Sequence, residues 1–470
     1  MQRCRVWEHQ PHDNATLLII NRTVKIGKKT LLDLRMENAM TEPRTPPPVP
    51  ATFWQYVGSM GPGLIVALTW LGAGDLVDSA VAGGNYGYSL MWAMVLALFV
   101  RFFFVSIIAK YQLCNQHSES VMAGLRRLHP WMPIFVGFVA VFFGHFYGSY
   151  MVKGVGETSR HLFGFGAPWA WSVLWVAVAA VLIFRGAYRR LEVIFYGFLI
   201  MLSSSLIGVA LWSGPDPMAA AKGAFLFTIP DQSGPFGAIL VITSLIGAVG
   251  GSIANLLYPY FIQQKGWQGP RFRRVQLYDL AFGTGVIVII NLSIWTIGAE
   301  LLHPRGMTVE SLQDLASLLT IALGSLGGPI FYLGVFAALY SSVLGGAVGF
   351  GYLLTDIVRI CHEKKVAQAA PMHVGHSRVY RVVVAWCLFS PLIWCLPGSP
   401  SFITLTIVAN AASVLTLPIL AGSLWYLTAC TTFIGPIYRN NWWENTVLAG
   451  LFLLSIWGAY QSAIAIAEIL

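Results

Sequence analysis

The chain has 470 residues, of which 56% are hydrophobic and only 10% are charged. A soluble domain has about 25% charged residues, so this composition excludes an ordinary soluble protein and indicates a polytopic membrane protein. The formal net charge of +9 does not indicate nucleic-acid binding, because the basic residues lie in short, alternate loops. We therefore expect the protein to lie in the lipid bilayer and to bind no nucleic acid.

The first fifty residues differ from the rest of the chain. Residues 1–50 are rich in arginine and lysine, end in a proline run at 46–48, and contain one short apolar run at 15–20. That run is too short for the core of a signal peptide. The sequence predicts a disordered basic cytosolic tail at 1–50 and a transporter domain at 51–470. In an alternative interpretation, translation starts at Met36 or Met40.

Apolar segments long enough to cross a membrane follow one another from residue 55 onward. A hydrocarbon core of ~30 Å needs about 20 apolar residues in a helix. We number the segments spans 1 to 11; they cover about 55–84, 88–111, 132–156, 168–185, 192–213, 235–265, 278–301, 328–358, 380–397, 401–428 and 445–469. The predicted fold class is an all-α polytopic membrane protein.

The basic residues predict the orientation of these spans. The loops after spans 2, 4, 6 and 8 are rich in arginine and lysine and the loop after span 10 contains Arg439, whereas the intervening loops contain few. Basic loops remain in the cytoplasm, so the N-terminus is predicted to be cytoplasmic. Eleven spans then place the C-terminus outside. We expect a monomer in a bacterial inner membrane.

Two spans are interrupted by glycine at matching places. Span 1 is interrupted at 72–75 by Gly-Ala-Gly-Asp, and span 6 at 250–255 by Gly-Gly-Ser-Ile-Ala-Asn. Unwound backbone within a bilayer must be buried in protein or line a watery cavity, because unsatisfied peptide groups are costly in lipid. A pair of interrupted helices is the best sequence indicator of a transporter's binding site. The breaks therefore predict where the substrate binds.

Enzyme motifs are missing from the sequence. Neither H-E-x-x-H nor G-x-S-x-G occurs, and these motifs place the reacting groups of metalloproteases and serine hydrolases. The six cysteines show no C-x-x-C spacing, so neither a zinc site nor a disulfide framework is indicated. We predict a protein that is not an enzyme and has no cofactor.

Several runs resemble the NRAMP family of divalent-metal transporters. Residues 61–66, the break at 72–75 and residues 82–88 resemble the start of that family. Residues 188–192 resemble its basic loop before the fifth helix, and Leu417 with Pro418 resembles a pair in its tenth. The resemblance extends over about 55–470.

This resemblance implies the LeuT-like fold, an inverted repeat of five plus five helices. Repeat one would cover about 55–213, repeat two about 235–428, and an eleventh transmembrane helix at about 445–469 would follow. Helices 1 and 6 would be broken at mid-membrane. The substrate expected from the resemblance is a divalent metal ion.

The sequence departs from the family at its metal site. The family's D-P-G-N falls on residues 72–75, so the aspartate position is Gly72 and the carboxylate moves to Asp75. The family's M-P-H in helix six falls on residues 254–256, which replaces a thioether by Ala254. Loss of the soft ligand disfavours late transition metals. The pattern resembles the NRAMP-related magnesium transporters.

Oxygen ligands suited to Mg²⁺ can be proposed on this alignment. They are Asp75, backbone carbonyls near Gly72 and Gly251, and the amide oxygens of Asn255 and Asn410, which replaces a family glutamine. The small side chain of Ala254 would leave room for a partly hydrated ion, and Mg²⁺ usually keeps several waters.

Each candidate also has a structural interpretation. Asp75 can act as the N-cap of a half-helix that begins at Leu76, and Asn255 can cap the broken helix. An acid at mid-bilayer is a functional candidate by default, whereas Asp78, one turn further on, is interpreted as structural. Arg101, deep in span 2, is predicted to pair with backbone carbonyls or with a buried acid.

The family's proton-transfer residues are replaced. Its third-helix acids fall on Gly148 and Met151, and its sixth-helix histidines fall on Leu256 and Phe261. We therefore predict uncoupled, potential-driven Mg²⁺ uptake that also accepts Mn²⁺, since 100 mV supplies ~4.6 kcal/mol for a dication. The alternatives are a proton-coupled Mn²⁺/Fe²⁺ transporter and a carrier of organic cations or amino acids. For the latter, Trp70, Tyr258 and Tyr260 would supply aromatic surface.

Overall fold

A computed structural model describes residues 48–59, 73–185, 188–230, 235–250, 252–362 and 377–468. The helices in these ranges are α1 (Phe53–Ser59), α2 (Ala73–Tyr86), α3 (Met91–Cys114), α4 (Val121–Leu128), α5 (Met132–Phe163), α6 (Pro168–Phe184), α7 (Tyr188–Trp212), α8 (Pro217–Phe225), α9 (Ala238–Leu245), α10 (Tyr258–Gln264), α11 (Arg273–Ile297), α12 (Leu312–Leu323), α13 (Gly327–His362), α14 (Arg378–Phe389), α15 (Phe402–Ser413), α16 (Leu417–Ala429), α17 (Thr431–Ile434) and α18 (Trp442–Ala467). These ranges contain no strand, as predicted.

The long helices correspond to the predicted spans. Eight helices in the described ranges are long and apolar enough to cross a membrane, or nine if Gly197–Trp212 and Pro217–Phe225, bent by 110°, form one span. Helix α6 is a shorter apolar helix. Of span 1, α1 and α2 are described, and residues 60–72 lie outside the described residues. The predicted tail lies outside them up to residue 47.

The predicted interruption of span 6 is confirmed. Helix α9 continues as a π-helix at Ile246–Gly250, and a 3₁₀ helix at Ile253–Leu257 leads into α10. Between these two segments, Ser252 has extended backbone angles, and its side chain accepts a hydrogen bond from the Ala254 amide. The span therefore consists of two half-helices joined by non-helical backbone.

The second half of span 1 begins earlier than predicted. Helix α2 starts at Ala73, so Asp75 lies in its first turn and does not precede the helix. A carboxylate in the first turn of a helix is stabilised by the free amides and the positive end of the helix dipole. Asp75 is therefore placed at the N-terminal end of a half-helix, where an anion is favoured.

Two close backbone contacts hold the broken helices in the bundle. A Cβ atom on Gly83 would lie within 3.0 Å of the Trp295 carbonyl oxygen on α11. A Cβ on Gly247, in the π-helix, would overlap the Asn410 carbonyl on α15. Glycine thus allows α2 and the interrupted span 6 to approach their neighbours, because any larger residue would force the backbones apart. These contacts position the residues around the breaks.

Candidate functional site

Asp75 forms a buried ion pair with Arg101. The Arg101 Nη1 atom donates to Asp75 Oδ2 at 2.9 Å, and Nη2 donates to Asp75 Oδ1 at 3.4 Å. Each side chain is 2% exposed. A two-point contact of guanidinium with carboxylate is a strong, charge-assisted interaction. The sequence predicted a carbonyl or acid partner for Arg101, and the structure identifies Asp75 as the acid.

Arg101 also contacts the other broken span. Its Nη2 atom donates to the carbonyl oxygen of Ala248 at 2.8 Å. Ala248 lies in the π-helix that precedes the break of span 6. Arg101, from α3, therefore joins α2 to the end of the first half of span 6.

Asp78 occupies a separate hydrogen-bonded position one turn further along α2. It is 1% exposed, and its two oxygens accept from Ser244 Oγ at 2.7 Å and from Asn410 Nδ2 at 2.9 Å. Buried carboxylates need such donors to offset their loss of hydration. This arrangement agrees with the structural interpretation of Asp78 and ties α2 to α9 and α15.

A cavity of about 80 Å³ lies beside the ion pair. Because about 10–15 Å³ of such volume holds one water, the cavity has room for a partly hydrated ion. Its polar lining consists of Asp75, Arg101, Tyr147, Tyr150, Ser252, Ser342 and Asn410. Most of the atoms at the cavity that could bind a metal ion are therefore oxygens, and Arg101 adds a positive charge to the lining.

The predicted ligands differ in their position relative to this cavity. Asp75, Ala254 and Asn410 line it. Asn255 is not among its lining residues: its Nδ2 donates to the Gly250 carbonyl at 3.0 Å, while its buried Oδ1 has no hydrogen-bond partner. This contact fits the capping interpretation of Asn255. Gly72 and Gly251 lie outside the described residues, so their ligand roles stay predictions.

Sequence reasoning missed four hydroxyl groups at the site, of which one belongs to Ser342 on α13. Tyr147 and Tyr150, on α5, and Ser252, at the break, line the cavity, and Tyr147 Oη lies 3.0 Å from Ser252 Oγ. A tyrosine in a long apolar helix is usually interpreted as packing, and the two are only three residues apart. That spacing, which puts both on one helix face, was the available signal.

Three of the four positions where the resemblance places proton-transfer residues line the cavity as well. Gly148, Met151 and Phe261 line it, and Leu256 is 1% exposed. A Cβ atom on Gly148 would lie closer than 3.0 Å to Pro391 Cγ. This packing leaves no space for an acidic side chain at residue 148.

The two described tyrosines that were considered for binding an organic cation form hydrogen bonds outside the cavity. Tyr258 Oη donates to Asp279 Oδ2 at 3.3 Å, and Tyr260 Oη donates to Asp356 Oδ2 at 3.0 Å. Neither tyrosine is among the cavity-lining residues. Trp70 lies outside the described residues.

A second buried network surrounds Asp356. Asp356, on α13, is 1% exposed and accepts from Tyr260 on α10, from Ser120 Oγ at 3.2 Å and from Arg359 Nη2 at 2.9 Å. Ser120 is the N-cap of α4. The network therefore joins the second half of span 6 to α13 and to the start of α4.

Acidic and sulfur side chains do not cluster near the cavity. Among the described residues, no group of three or more His, Cys, Asp or Glu side chains is placed to hold a metal ion. Met151 and Cys387 contribute sulfur atoms to the cavity lining, from α5 and α14. Neither sulfur occupies the helix-six position where the resemblance places a thioether.

Comparison with known protein families shows which family the chain belongs to. Residues 63–465 match the family described as Natural resistance-associated macrophage protein-like, or Nramp. The chain belongs to the Nramp family. Together with its apolar helices, this membership makes it an integral membrane protein.

Curated Nramp relatives are distant in sequence. The chain is 22% identical over 323 residues to the "Divalent metal cation transporter MntH" of Chromohalobacter salexigens, covering 65% of this chain and 72% of the relative. It is 23% identical over 319 residues to the protein of the same name from Aeromonas hydrophila, covering 64% and 74%.

Solved structures show the Nramp and LeuT-like fold. A manganese transporter of Eremococcus coleocola matches with a TM-score of 0.68 and 16% identity over 90% of this chain and 89% of that one. The transporter MhsT, solved with L-phenylalanine, matches with a TM-score of 0.52 and 16% identity over 86% and 98%. The predicted fold class is therefore confirmed.

Proposed function

We propose that this Nramp protein is an alternating-access transporter of divalent metal cations, with Mg²⁺ as its main substrate and Mn²⁺ accepted. The observation that supports the proposal is the Asp75 carboxylate on the wall of a cavity that the interrupted span 6 also lines. Relatives of the chain are named as divalent metal cation and manganese transporters. The site lies at the helix breaks, where transporters of this fold bind their substrates.

The preference for Mg²⁺ rests on the donor set. Carboxylate, amide and hydroxyl oxygens line the cavity near Asp75, together with the Arg101 guanidinium. The sulfur-containing side chains in the lining, Met151 and Cys387, come from other helices, and Ala254 stands where the resemblance places a thioether in helix six. Magnesium prefers carboxylates and retains water, whereas sulfur ligands favour softer metals. The volume of the cavity suits an ion that keeps part of its hydration shell.

Transport without protons is supported by the packing at the family's proton-transfer positions. Gly148, Met151 and Phe261 bring no titratable group to the cavity, and Pro391 fills the space beside Gly148. The membrane potential alone is sufficient, because it supplies about 2.3 kcal/mol per charge at 100 mV. In this proposal the N-terminus is cytoplasmic, the C-terminus is outside, and one monomer is the transport unit.

A second candidate is a carrier of zwitterionic organic solutes. The Asp75–Arg101 pair favours it, because adjacent opposite charges match the ammonium and carboxylate groups of an amino acid. Such a substrate would replace the internal ion pair by two intermolecular ones.

Competition for Mn²⁺ uptake distinguishes the candidates. Proteoliposomes that contain the protein would take up ⁵⁴Mn²⁺ under an inside-negative potential, and Mg²⁺ would inhibit that uptake, whereas a mixture of twenty amino acids would not. Uptake of a radiolabelled amino acid by the same vesicles, without uptake of ⁵⁴Mn²⁺, would favour the organic carrier. A pH dye inside the vesicles tests coupling, since acidification that needs both protein and Mn²⁺ would show proton-coupled transport.

A further inference from the structure

We infer that Arg101 is a built-in counter-ion, which occupies the cation position in the substrate-free transporter and is displaced from Asp75 when a metal ion binds. The inference rests on the proposed function and adds a specificity-determining residue to it.

The contacts of Arg101 are those that a bound metal ion would make. Its guanidinium binds both carboxylate oxygens of Asp75 and the carbonyl oxygen of Ala248. These atoms lie in the first turn of α2 and at the end of the first half of span 6. Carboxylate and carbonyl oxygens are also the preferred ligands of Mg²⁺ and Mn²⁺.

Burial explains why the position needs a positive charge when no metal is present. Asp75 is 2% exposed, and an uncompensated charge in such a place is strongly unfavourable. Arg101 neutralises Asp75, so the empty site has no net charge from this pair. An empty carrier can then return across the membrane without moving an unpaired charge through a low-dielectric region.

Competition between Arg101 and the substrate follows from the same geometry. A dication that approaches Asp75 meets the guanidinium at the carboxylate, and like charges repel strongly where water is excluded. Arg101 therefore lowers the affinity for metal and makes binding require the release of Asp75. Weak binding of this kind suits an abundant ion such as Mg²⁺.

Binding by an Arg101→Gln variant provides the first test. We expect Arg101→Gln to bind Mn²⁺ and Mg²⁺ at least about tenfold more tightly than the wild type, because the competing charge is removed. Arg101→Lys keeps the charge and should stay nearer to the wild type. Arg160→Gln is the matched control, since Arg160 is exposed and lies outside the cavity lining. Isothermal titration calorimetry of the purified protein in detergent measures these affinities.

Comparison of exchange with net uptake provides a readout that a merely structural role would not change. In proteoliposomes, Arg101→Gln should retain ⁵⁴Mn²⁺/Mn²⁺ exchange, in which the carrier crosses only when loaded. Net uptake should fall about tenfold or more, because the empty carrier then returns with Asp75 unpaired. Equal losses of exchange and net uptake would contradict the role in the empty return.

A structure of the wild-type protein with bound Mn²⁺ keeps the inference testable if Arg101→Gln does not fold. We expect Mn²⁺ beside Asp75 and the guanidinium more than hydrogen-bond distance from that carboxylate. Mn²⁺ bound with the Asp75–Arg101 pair intact would overturn the inference. If the wild type binds Mn²⁺ or Mg²⁺ and Arg101→Gln binds it equally or more weakly, the inference alone is overturned. If neither protein binds these ions, the proposed function is overturned as well.

Discussion

Asn410 donates a hydrogen bond from Nδ2 to Asp78 Oδ2 at 2.9 Å and so joins two residues that are 332 positions apart. Ser244 holds the other oxygen of Asp78. Asp78 is thus fixed to α9 and α15, while Asp75, one turn earlier, faces the cavity and pairs with Arg101. The two carboxylates of α2 therefore have different tasks, since Asp78 anchors the half-helix and Asp75 remains available to a substrate.

Replacing Asp75 alone should destabilise the protein, because it leaves Arg101 buried without its carboxylate. Breaking a buried ion pair costs about 3–5 kcal/mol, so Asp75→Asn should lower the melting temperature in detergent. The double variant Asp75→Asn/Arg101→Gln has two neutral amides of similar size and should recover most of the loss. Neither variant should bind Mg²⁺. An Asp75→Asn variant that melts like the wild type would contradict the buried ion pair.

Introducing a thioether at the helix-six position should change the ion preference. Ala254→Met places sulfur on the cavity wall and should shift selectivity from Mg²⁺ toward Mn²⁺ and Cd²⁺, because soft ligands favour softer metals. The order of ion preference can be measured from how strongly unlabelled Mg²⁺, Mn²⁺ and Cd²⁺ inhibit the uptake of ⁵⁴Mn²⁺.

Met151 already lines the cavity, so the Ala254→Met comparison should be repeated in a Met151→Leu background. An unchanged ion series in both backgrounds would mean that residue 254 does not contact the transported ion.

The packing of Gly148 against Pro391 should make that position intolerant of any side chain. Gly148→Ala places a Cβ closer than 3.0 Å to Pro391 Cγ, and overpacking of this kind costs about 1–3 kcal/mol. Gly285→Ala is the control, since nothing lies within 4 Å of its added Cβ and alanine favours a helix by about 1 kcal/mol. We expect thermal melting to move in opposite directions for the two variants. A stabilised Gly148→Ala would contradict the packing.

Loss of the Asp356 network should loosen the packing of α10 and the start of α4 against α13. Asp356→Asn removes the charge that accepts hydrogen bonds from Tyr260, Ser120 and Arg359. Hydrogen bonds to a charged group are worth about 1.5–3 kcal/mol each. If looser packing exposes the cavity, the native Cys387, which lines it, should then react roughly tenfold faster with a thiol reagent. A Cys387→Ser version of each protein shows which labelling belongs to this residue, and an unchanged rate would contradict the expected effect of the network on access to the cavity.

The helices and the site differ in how far the sequence could predict them. Span 3 was predicted at 132–156, and the observed helix covers that range and continues to Phe163. Its existence was predictable because a helix needs about 20 apolar residues to cross the bilayer. The break of span 6 was predictable since its run of glycine, serine and asparagine suits non-helical backbone. Both signals are local in the chain.

The contacts of the site depend on the tertiary arrangement and were less predictable. A buried arginine requires oxygen partners, so the kind of partner for Arg101 followed from the sequence. Its identity did not, because Asp75 and Ala248 come from two other helices. The start of α2 at Ala73 was also missed, since Gly74 and Asp75 favour turns as well as helix starts.

Mg²⁺ uptake by the purified protein tests the central claim most directly. Proteoliposomes loaded with a Mg²⁺-sensitive dye and a pH dye would be given an inside-negative potential with potassium and valinomycin, with the Asp75→Asn/Arg101→Gln double variant as control. We predict that internal Mg²⁺ rises with the potential in wild-type vesicles only, without acidification. Mg²⁺ entry no faster than in the control vesicles would contradict the account.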